Sequence, residues 1–215
     1  MTPPESAALS LHFDAADLLD LRLAGRVLRV AQGALVLTRA DTGAGCEVQT
    51  LALPGDLLGL ECLGTHTASQ QALALSAGSL QPVTLERPGA LTDLLAEAYD
   101  QACRQCRDML ALRSGPVGER LRRLLMLLGA QAGDGRDMAD LSRPPLRTLA
   151  ALVDATPESV CRVLSRLRKL KMLQPVTPQR ARVSLQALND FQPPRGMTES
   201  GLARLARAAQ PRGGS

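Results

Sequence analysis

The stretch ATPESVCRVLSRLRKLKML, residues 155–173, combines a regular apolar spacing with a dense positive charge. With successive residues about 100° apart on a helical wheel, one side collects the apolar side chains of Val160, Val163, Leu164, Leu167 and Leu170. The other side, within an arc of roughly 140°, collects Glu158, Cys161, Arg162, Ser165, Arg166 and Lys169. The pattern predicts an amphipathic helix whose basic side faces outward.

Three features around this helix predict a winged helix-turn-helix. Thr156 is a favourable N-cap and Pro157 suits the first helical position, so the start of the helix is well defined. Before it, PPLRTLAALVD (residues 144–154) predicts a second short helix, and only about three residues separate the two. After it, LQPVTPQRARVSL (residues 173–185) predicts a strand, a turn and a second strand, which would form the wing.

Such a motif binds DNA, and the residue types fit that role. The second helix of a helix-turn-helix lies in the major groove, and its N-terminal residues contact base edges. Arg162 can form a bidentate pair with guanine, and Glu158 can accept a hydrogen bond from the cytosine amino group. Phosphates position a protein without specifying sequence, and we expect them to be bound by Thr156, Ser159, Arg166, Lys169, Arg180 and Arg143. A basic, solvated helix in an ordinary helical domain is the alternative, but the defined start, the short turn and the wing favour double-stranded DNA.

The charge distribution also indicates a polyanion partner. The whole chain carries a net charge of +4. Residues 141–182 contain nine Arg or Lys and two Asp or Glu, whereas residues 1–140 contain 12 basic and 17 acidic side chains. A basic segment within an otherwise acidic chain is typical of a nucleic-acid-binding region.

The composition argues against several other classes of protein. The chain has 215 residues, of which 45% are hydrophobic, but it has no Trp, one Tyr and two Phe. Aromatic platforms for single-stranded nucleic acid are therefore not expected. No apolar run reaches the roughly 18 residues of a membrane helix, and the acidic N-terminal stretch lacks a signal-peptide pattern. Five Cys without disulfide-scaffold spacing are typical of a reducing compartment, so a cytoplasmic protein without membrane contact is expected.

Short strands are predicted in the N-terminal part of the chain. RVLRVAQGALVLTR, residues 26–39, alternates and is rich in β-branched side chains. Turns rich in Gly or Pro follow at residues 41–45 and 54–56 and near Gly78. This pattern predicts a small barrel or sandwich, preceded by a short helix at about residues 14–23.

The period changes to that of a helix after residue 90. Between Leu91 and Arg113, apolar or small side chains recur at alternating spacings of four and three, at Leu95, Tyr99, Ala102, Cys106 and Met109. This spacing gives a heptad-like seam, which is short and poor in Leu. GERLRRLLMLLGAQ, residues 118–131, predicts a further helix, followed by a hinge-like stretch at residues 129–140. The predicted segments are 1–90 (strands), 91–131 (two helices), 138–191 (winged helix-turn-helix) and 192–215 (flexible tail).

TPESVCRVL, residues 156–164, resembles the recognition-helix signature of the cyclic-AMP receptor protein/FNR (CRP/FNR) family of bacterial transcription regulators. That signature, Ser/Thr-x-Glu-Thr/Ser-x-x-Arg-x-Leu, is matched by Thr156, Glu158, Ser159, Arg162 and Leu164. GALVLTR with LALPGDLLGLE resembles the β-roll of the family, and VGERLRRLLMLL resembles the helix that leads into its DNA-binding domain. The resemblance covers residues 26–190 of the chain.

The resemblance implies an α+β fold and a mode of action. The fold would comprise an N-terminal degenerate β-roll (a cyclic-nucleotide-binding-like jelly roll), a long dimerisation helix and a C-terminal winged helix-turn-helix. Such homodimers bind two-fold symmetric sites in double-stranded DNA, one recognition helix per half-site. By resemblance, Glu158 and Arg162 would contact bases, and Pro157 occupies a position that often contacts DNA. Activation through contact with RNA polymerase is a further expectation from the family.

Departures from the family pattern argue against cyclic AMP as a cofactor. Members that bind it carry Gly-Glu after the Gly-Asp turn, and then an Arg-Ser pair that holds the cyclic phosphate. This chain has Gly59-Leu60 at the first place, and Ser69-Gln70-Gln71-Ala72 at the second, so a cyclic phosphate would find no cation there. The roll is also expected to be short, because few residues precede Arg26 to supply its usual first strands. No cofactor is therefore predicted.

No catalytic or metal site is predicted. The sequence contains no nucleophile–base arrangement and no cofactor motif, so an enzyme is not expected. The two His are isolated. Cys103-x-x-Cys106 invites a redox or metal interpretation, but an iron–sulfur cluster normally needs four Cys ligands, and the other Cys lie far away in sequence. Cys103 and Cys106 leave two interpretations open, namely small side chains packed in a helix interface or an interchain disulfide through Cys106. The competing function is a winged-helix module that binds proteins, or DNA of any sequence.

Overall fold

The computed structural model describes residues 10–21, 26–41, 45–63, 70–132, 137–142, 144–177 and 180–191. The chain divides into two compact units, residues 1–106 and residues 107–215. The predicted tail, residues 192–215, lies outside the described residues. None of the helices in the described ranges has the length and apolar character needed to cross a membrane.

The first unit is a jelly roll of antiparallel strands. In its described part the strands are β1 (Leu11–Phe13), β2 (Leu18–Asp20), β3 (Leu28–Gln32), β4 (Leu35–Asp41), β5 (Gly45–Ala52), β6 (Leu57–Leu58), β7 (Gln70–Ala74) and β8 (Gly78–Pro82). They form two four-stranded sheets, with the orders β1-β8-β3-β6 and β2-β7-β4-β5. A single 3-10 turn, Leu60–Leu63, follows β6. The predicted barrel or sandwich of short strands is therefore observed.

Apolar side chains fill the interior between the two sheets. Phe13, Leu28, Val30, Leu35, Leu37, Leu58 and Leu80 belong to one buried cluster, which Ala52, Ala72 and Ala74 complete between the larger side chains. The alternation of β3 and β4 supplies inward-facing leucines and valines from both sheets. Gly78 allows two strands to approach closely, because a Cβ there would lie 2.1 Å from the Gln32 carbonyl oxygen.

The helix predicted at residues 14–23 is wrong over residues 14–20, and residues 22–23 lie outside the described residues. Residues 11–13 and 18–20 are strands, joined by a turn in which Ala16 has a φ of 77°. β1 pairs with β8 and β2 pairs with β7, so pairing with strands distant in sequence overrides the local helical pattern. The expectation of a short roll fails for the same reason, since β1 and β2 supply strands ahead of Arg26.

A long helix, α1 (Ala90–Arg113), is fastened to the roll within the first unit. The amide of the buried Gln101 accepts a hydrogen bond from the Leu57 N–H (2.6 Å) and donates one to the Leu57 carbonyl (2.9 Å). One turn further on, Arg104 forms an ion pair with the buried Asp56. Burial raises the pKa of Asp56, and Arg104 is among the groups that oppose this shift. These bonds fix which side of α1 faces the roll.

Besides the last residues of α1, the second unit contains four helices and a three-stranded sheet among its described residues. The helices are α2 (Val117–Ala132), α3 (Leu146–Leu152), α4 (Pro157–Lys169) and α5 (Leu185–Asp190). The strands are β9 (Met138–Ser142), β10 (Leu173–Thr177) and β11 (Arg180–Ser184), in the antiparallel order β10-β11-β9. Buried leucines of α2 and the apolar side of α4 form its core.

The hinge predicted at residues 129–140 is wrong at both of its ends, and residues 133–136 between them lie outside the described residues. α2 continues to Ala132, and Met138–Ser142 forms β9, the third strand of the wing sheet. Gly129 suggested a break, but it lies inside α2, where a Cβ would approach Leu185 to 2.5 Å. A side chain there would require the end of Leu185 to shift, so the glycine reflects the close packing of α5 and does not mark the end of the helix.

Candidate nucleic-acid interface

The start of α4 has the geometry that its sequence predicts. Thr156 is the N-cap, and its hydroxyl accepts a hydrogen bond from the Ser159 N–H at 3.3 Å. Pro157 occupies the first turn, where its missing N–H has no cost. Four apolar residues on the inner side of α4 are buried, namely Val160, Val163, Leu164 and Leu167. The helix therefore presents its opposite side to solvent.

The turn between α3 and α4 is closed by backbone bonds of the Schellman type. The Ala155 N–H donates to the Ala150 carbonyl at 2.9 Å, and the Asp154 N–H donates to the Ala151 carbonyl at 3.4 Å. Asp154 adopts a φ of 45° at the position that glycine usually takes in this motif. Two helices and a four-residue connection, residues 153–156, thus form a compact helix-turn-helix.

The outward side of α4 lines an open groove. Its walls are Pro157, Glu158, Cys161, Arg162, Ser165, Arg166 and Lys169 of α4, together with Leu146 at the start of α3. Glu158 and Arg162 are exposed, and no hydrogen bond or ion pair joins them to each other in the described part of the chain. Both side chains are therefore available to a ligand. One acceptor and several cationic donors along one groove suit the edges and phosphates of duplex DNA.

The wing presents a second basic group beside this motif. β10 and β11 form its hairpin, and Arg180 is exposed at the start of β11. Arg182 donates to Asp140 of β9 at 2.9 Å, and this hydrogen bond raises the pKa of Arg182 and lowers that of Asp140. Arg180 is thus the wing arginine that is better placed to bind an anion.

Comparison with known proteins identifies the fold. No protein-family model and no curated protein matches the chain. A CRP/FNR-family transcriptional regulator from Thermus thermophilus matches 87% of this chain and 100% of its own, with a TM-score of 0.65 and 22% identity. A second regulator of the CRP family from that organism matches 83% of this chain and 94% of its own, with a TM-score of 0.65 and 21% identity. FixK2 from Bradyrhizobium japonicum matches 88% and 100%, with a TM-score of 0.63 and 18% identity. The chain has the fold of the CRP/FNR regulators.

The CRP/FNR fold confirms the α+β architecture that the sequence resemblance implied. The residues predicted to bind phosphates differ in their exposure to solvent. Thr156, Arg166, Lys169 and Arg180 are exposed, whereas Ser159 is half-buried and its backbone N–H is used by the N-cap. Arg143 lies outside the described residues.

Two groove residues received no role from the sequence. Cys161 and Ser165 line the same wall as Arg162, one on each side of it along the helix. The helical wheel places both residues on the outward side of α4, and this is the one feature of the sequence that indicates they could contact DNA. Nothing in their residue type alone indicates base or phosphate binding, so only the groove itself brings them into the candidate interface.

A second exposed surface of the CRP/FNR fold runs along α1 in the first unit. Leu91 and Leu95 are exposed, and Tyr99 is 71% exposed, which is unusual for large apolar side chains of a monomer. Ala102 and Cys106, also predicted in the dimer seam, are exposed too. We call the side defined by Leu91, Leu95, Tyr99, Ala102 and Cys106 the open face of α1.

The position predicted for Met109 in this seam is not supported. Met109 is only 8% exposed, whereas Leu110, one position further along, is 60% exposed. Met109 lies 18 residues, or about five full turns, after the exposed Leu91 and so has the same angular position on α1. Its burial therefore reflects packing at this end of α1 and not its position around the helix.

The two stretches that depart from the cyclic-AMP pattern are only partly described. Glu61 lies in the 3-10 turn Leu60–Leu63, and residues 64–69, including Ser69, lie outside the described part. The prediction that cyclic AMP is not bound stays a prediction. Within the described ranges, no three His, Cys, Asp or Glu side chains are grouped so that they could hold a metal ion. Cys103 and Cys106 are exposed on α1, and the two interpretations of this pair stay predictions.

Proposed function

We propose that this chain is a dimeric transcription regulator of the CRP/FNR type that binds a two-fold symmetric site in double-stranded DNA. The observation that carries this proposal is the groove along α4. Glu158 and Arg162 stand side by side there without internal partners in the described residues, at the N-terminal end of a helix with a defined start. In a helix-turn-helix, this is the part of the second helix that reaches base edges.

Sequence readout is assigned to the first turns of α4. Arg162 would donate two hydrogen bonds to guanine, and Glu158 would accept one from a cytosine amino group. Pro157 would contact the adjacent base with its ring, because it lines the same groove but has no N–H to donate. These three residues are the proposed base contacts.

Register on the duplex is assigned to groups around the groove. Arg166 and Lys169 follow Arg162 along the exposed side of α4, and Arg180 lies on the wing. Their charges would bind phosphates on either side of the major groove. Thr156, Ser159 and Arg143 complete the proposed phosphate contacts, with the hydroxyls at the N-terminus of α4, where the helix dipole favours an anion.

Dimerisation is assigned to the open face of α1. Its leucines and Tyr99 expose apolar surface along several helical turns, and a second copy of the same helix would cover it. Two-fold symmetry then places one α4 in each of two half-sites about one helical turn of DNA apart. The proposed domains follow, with residues 1–90 as the roll, 91–131 as the dimerisation and connecting helices, and 138–191 as the DNA-binding domain.

No cofactor is included in the proposal, for two reasons. Where family members that bind cyclic AMP have the arginine that holds the cyclic phosphate, this chain has Gln70 and Gln71. Apolar side chains also fill the described interior of the roll. The regulator would act in the cytoplasm, as an activator that contacts RNA polymerase. The role as an activator derives from the family resemblance, whereas the cytoplasm is inferred from the five Cys without disulfide-scaffold spacing.

Selection of bound duplexes from random DNA at physiological salt tests the proposal. The wild-type chain is expected to enrich a two-fold symmetric sequence. Arg162→Ala should lose about 1–3 kcal/mol of discrimination at one base pair of each half-site. Lys169→Ala should weaken binding to all sequences alike and lower the salt slope by about one.

Arg26→Ala is the matched control, because Arg26 is an exposed arginine of the first unit and its loss changes the net charge equally. It should leave both the selected sequence and the salt slope unchanged. Equal recovery of all sequences by the wild-type chain would instead favour a module that binds DNA without readout. Recovery of no DNA would favour a protein-binding module.

A further inference from the structure

Arg120 is a cation buried in the second unit. It belongs to α2, and its exposed fraction is 2%. Burial lowers the pKa of its guanidinium, and the nearby charge of Asp154 acts in the opposite direction. Apolar side chains of similar length would fill such a site without the desolvation cost of a charge. The partners of Arg120 therefore indicate why an arginine stands there.

Arg120 donates two hydrogen bonds to the turn between α3 and α4. Its Nη1 donates to the carbonyl of Val153 at 2.6 Å and to the carbonyl of Asp154 at 2.9 Å. The Schellman bonds of this turn use the carbonyls of Ala150 and Ala151. They leave the carbonyls of Val153 and Asp154 for Arg120. A positive charge at this end also complements the dipole of α3.

The backbone that Arg120 holds is strained and leads directly into α4. Asp154 has a φ of 45°, in the left-handed region that residues other than glycine adopt infrequently and at a cost in free energy. Thr156, the N-cap of α4, is two residues further on, and Glu158 is the first charged residue of the groove. A rotation of the peptide after Asp154 would therefore tilt the start of α4.

We propose that Arg120 is a positioning residue for DNA readout: by binding both carbonyls of the turn from α2, it fixes the direction in which α4 leaves α3, and so holds Glu158 and Arg162 in reading position. This role rests on the proposed function of the α4 groove. Arg120 itself touches no DNA in this scheme, since it is buried behind the turn.

Variants of two arginines of α2 separate positioning from simple stabilisation. Arg122 is the matched control, because it is also largely buried and donates to the carbonyl of Leu188 in α5 and to Glu119, away from the turn. Binding of Arg120→Met, Arg120→Lys and Arg122→Met would be measured by fluorescence anisotropy, well below their unfolding temperatures. The probes are the duplex selected by the wild-type chain and a scrambled duplex of the same composition.

The ratio of the two affinities is the decisive readout. Arg120→Met should lower it about ten-fold, which is the loss of one bidentate base contact, while affinity for the scrambled duplex stays nearly constant. Arg120→Lys keeps the charge and should restore part of the ratio. Arg122→Met should lower the unfolding temperature without changing the ratio. An unchanged ratio in Arg120→Met would overturn the positioning role, whereas a wild-type chain without any preference would overturn the proposed function itself.

Hydrogen exchange covers the case in which Arg120→Met does not fold. In folded Arg120→Lys, faster amide exchange is expected at residues 153–160, including the Ala155 N–H that bonds to Ala150. Amides of β9–β11 should exchange as in the wild-type chain. Unchanged exchange at residues 153–160 would show that the turn keeps its geometry without the guanidinium, and would overturn the proposal.

Discussion

Replacement of Gln101 tests how α1 is fastened to the roll. β6 is an edge strand, and its residue Leu57 is 2% exposed, so water cannot replace a lost partner there. Gln101→Leu keeps a side chain of similar size but removes both bonds to the Leu57 backbone. Each buried backbone group left without a partner costs about 1–3 kcal/mol, so the loss in the free energy of unfolding is about 2–6 kcal/mol.

Urea unfolding of the full chain, followed by far-UV circular dichroism, measures this loss. Gln105→Leu is the control, because Gln105 lies one turn further on and its bonds are longer, at 3.3 Å to the Leu51 carbonyl and 3.4 Å to Asp56. Its unfolding midpoint should fall less. A Gln101→Leu chain as stable as the wild type would refute the reasoning, since it would mean that the Leu57 groups find other partners.

Gln101→Glu adds a pH dependence with a defined sign. The ionised carboxylate could accept from the Leu57 N–H, but it would face the Leu57 carbonyl without a proton to donate. Burial and this carbonyl should raise the folded-state pKa of the new carboxyl group above its unfolded-state value. The variant should therefore regain stability as the pH falls through the raised pKa, because the protonated acid restores the second bond. A constant difference from the wild type across this range would contradict the assigned geometry.

Two further predictions concern charged pairs of the second unit. Hydrogen bonds from Arg122 and Arg123 lower the pKa of Glu119 below its ordinary value of 4.5, so stability is lost as the pH falls from there through the lowered pKa. Glu119→Gln should flatten this decline in urea midpoints, and an identical decline would contradict the pairing. Asp140→Asn should release Arg182 for phosphates and raise the salt slope of duplex binding by about one. Anisotropy across a salt series measures it, and an unchanged slope would show that Arg182 stays away from DNA.

Features with a local cause were predictable from the sequence. The start of α4 depends on Thr156 and Pro157 and on the apolar spacing of the residues that follow them. The helix begins in the structure where this pattern predicts. The hairpin of the wing likewise needs only a turn and adjacent strands. β1 and β2 were missed because their partners, β8 and β7, follow far along the chain. A three-residue strand carries no periodicity of its own that could compete with a helical pattern.

The burial of individual polar side chains, like the strands β1 and β2, could not be predicted from the sequence. Arg120 stands among the basic residues of α2, and a run of that kind usually indicates a solvated side. Only the packing of α2 against the helix-turn-helix shows that Arg120 is inside while Arg123 is partly exposed. Met109 and Leu110 differ in the same way, because neighbouring apolar residues compete for one buried side and the fold decides between them.

In each unit, a long polar side chain of one helix binds backbone groups of another element. Gln101 of α1 binds β6, and Arg120 of α2 binds the turn after α3. Backbone groups at an edge strand or at a helix C-terminus have no partner within their own element. Gln101 supplies one for β6, and Arg120 supplies one for the end of α3. Both of these polar side chains are buried, whereas the open face of α1 and the groove side of α4 keep their side chains exposed. Internal polar bonding thus sets orientation, which leaves the open face of α1 and the groove of α4 accessible to partners.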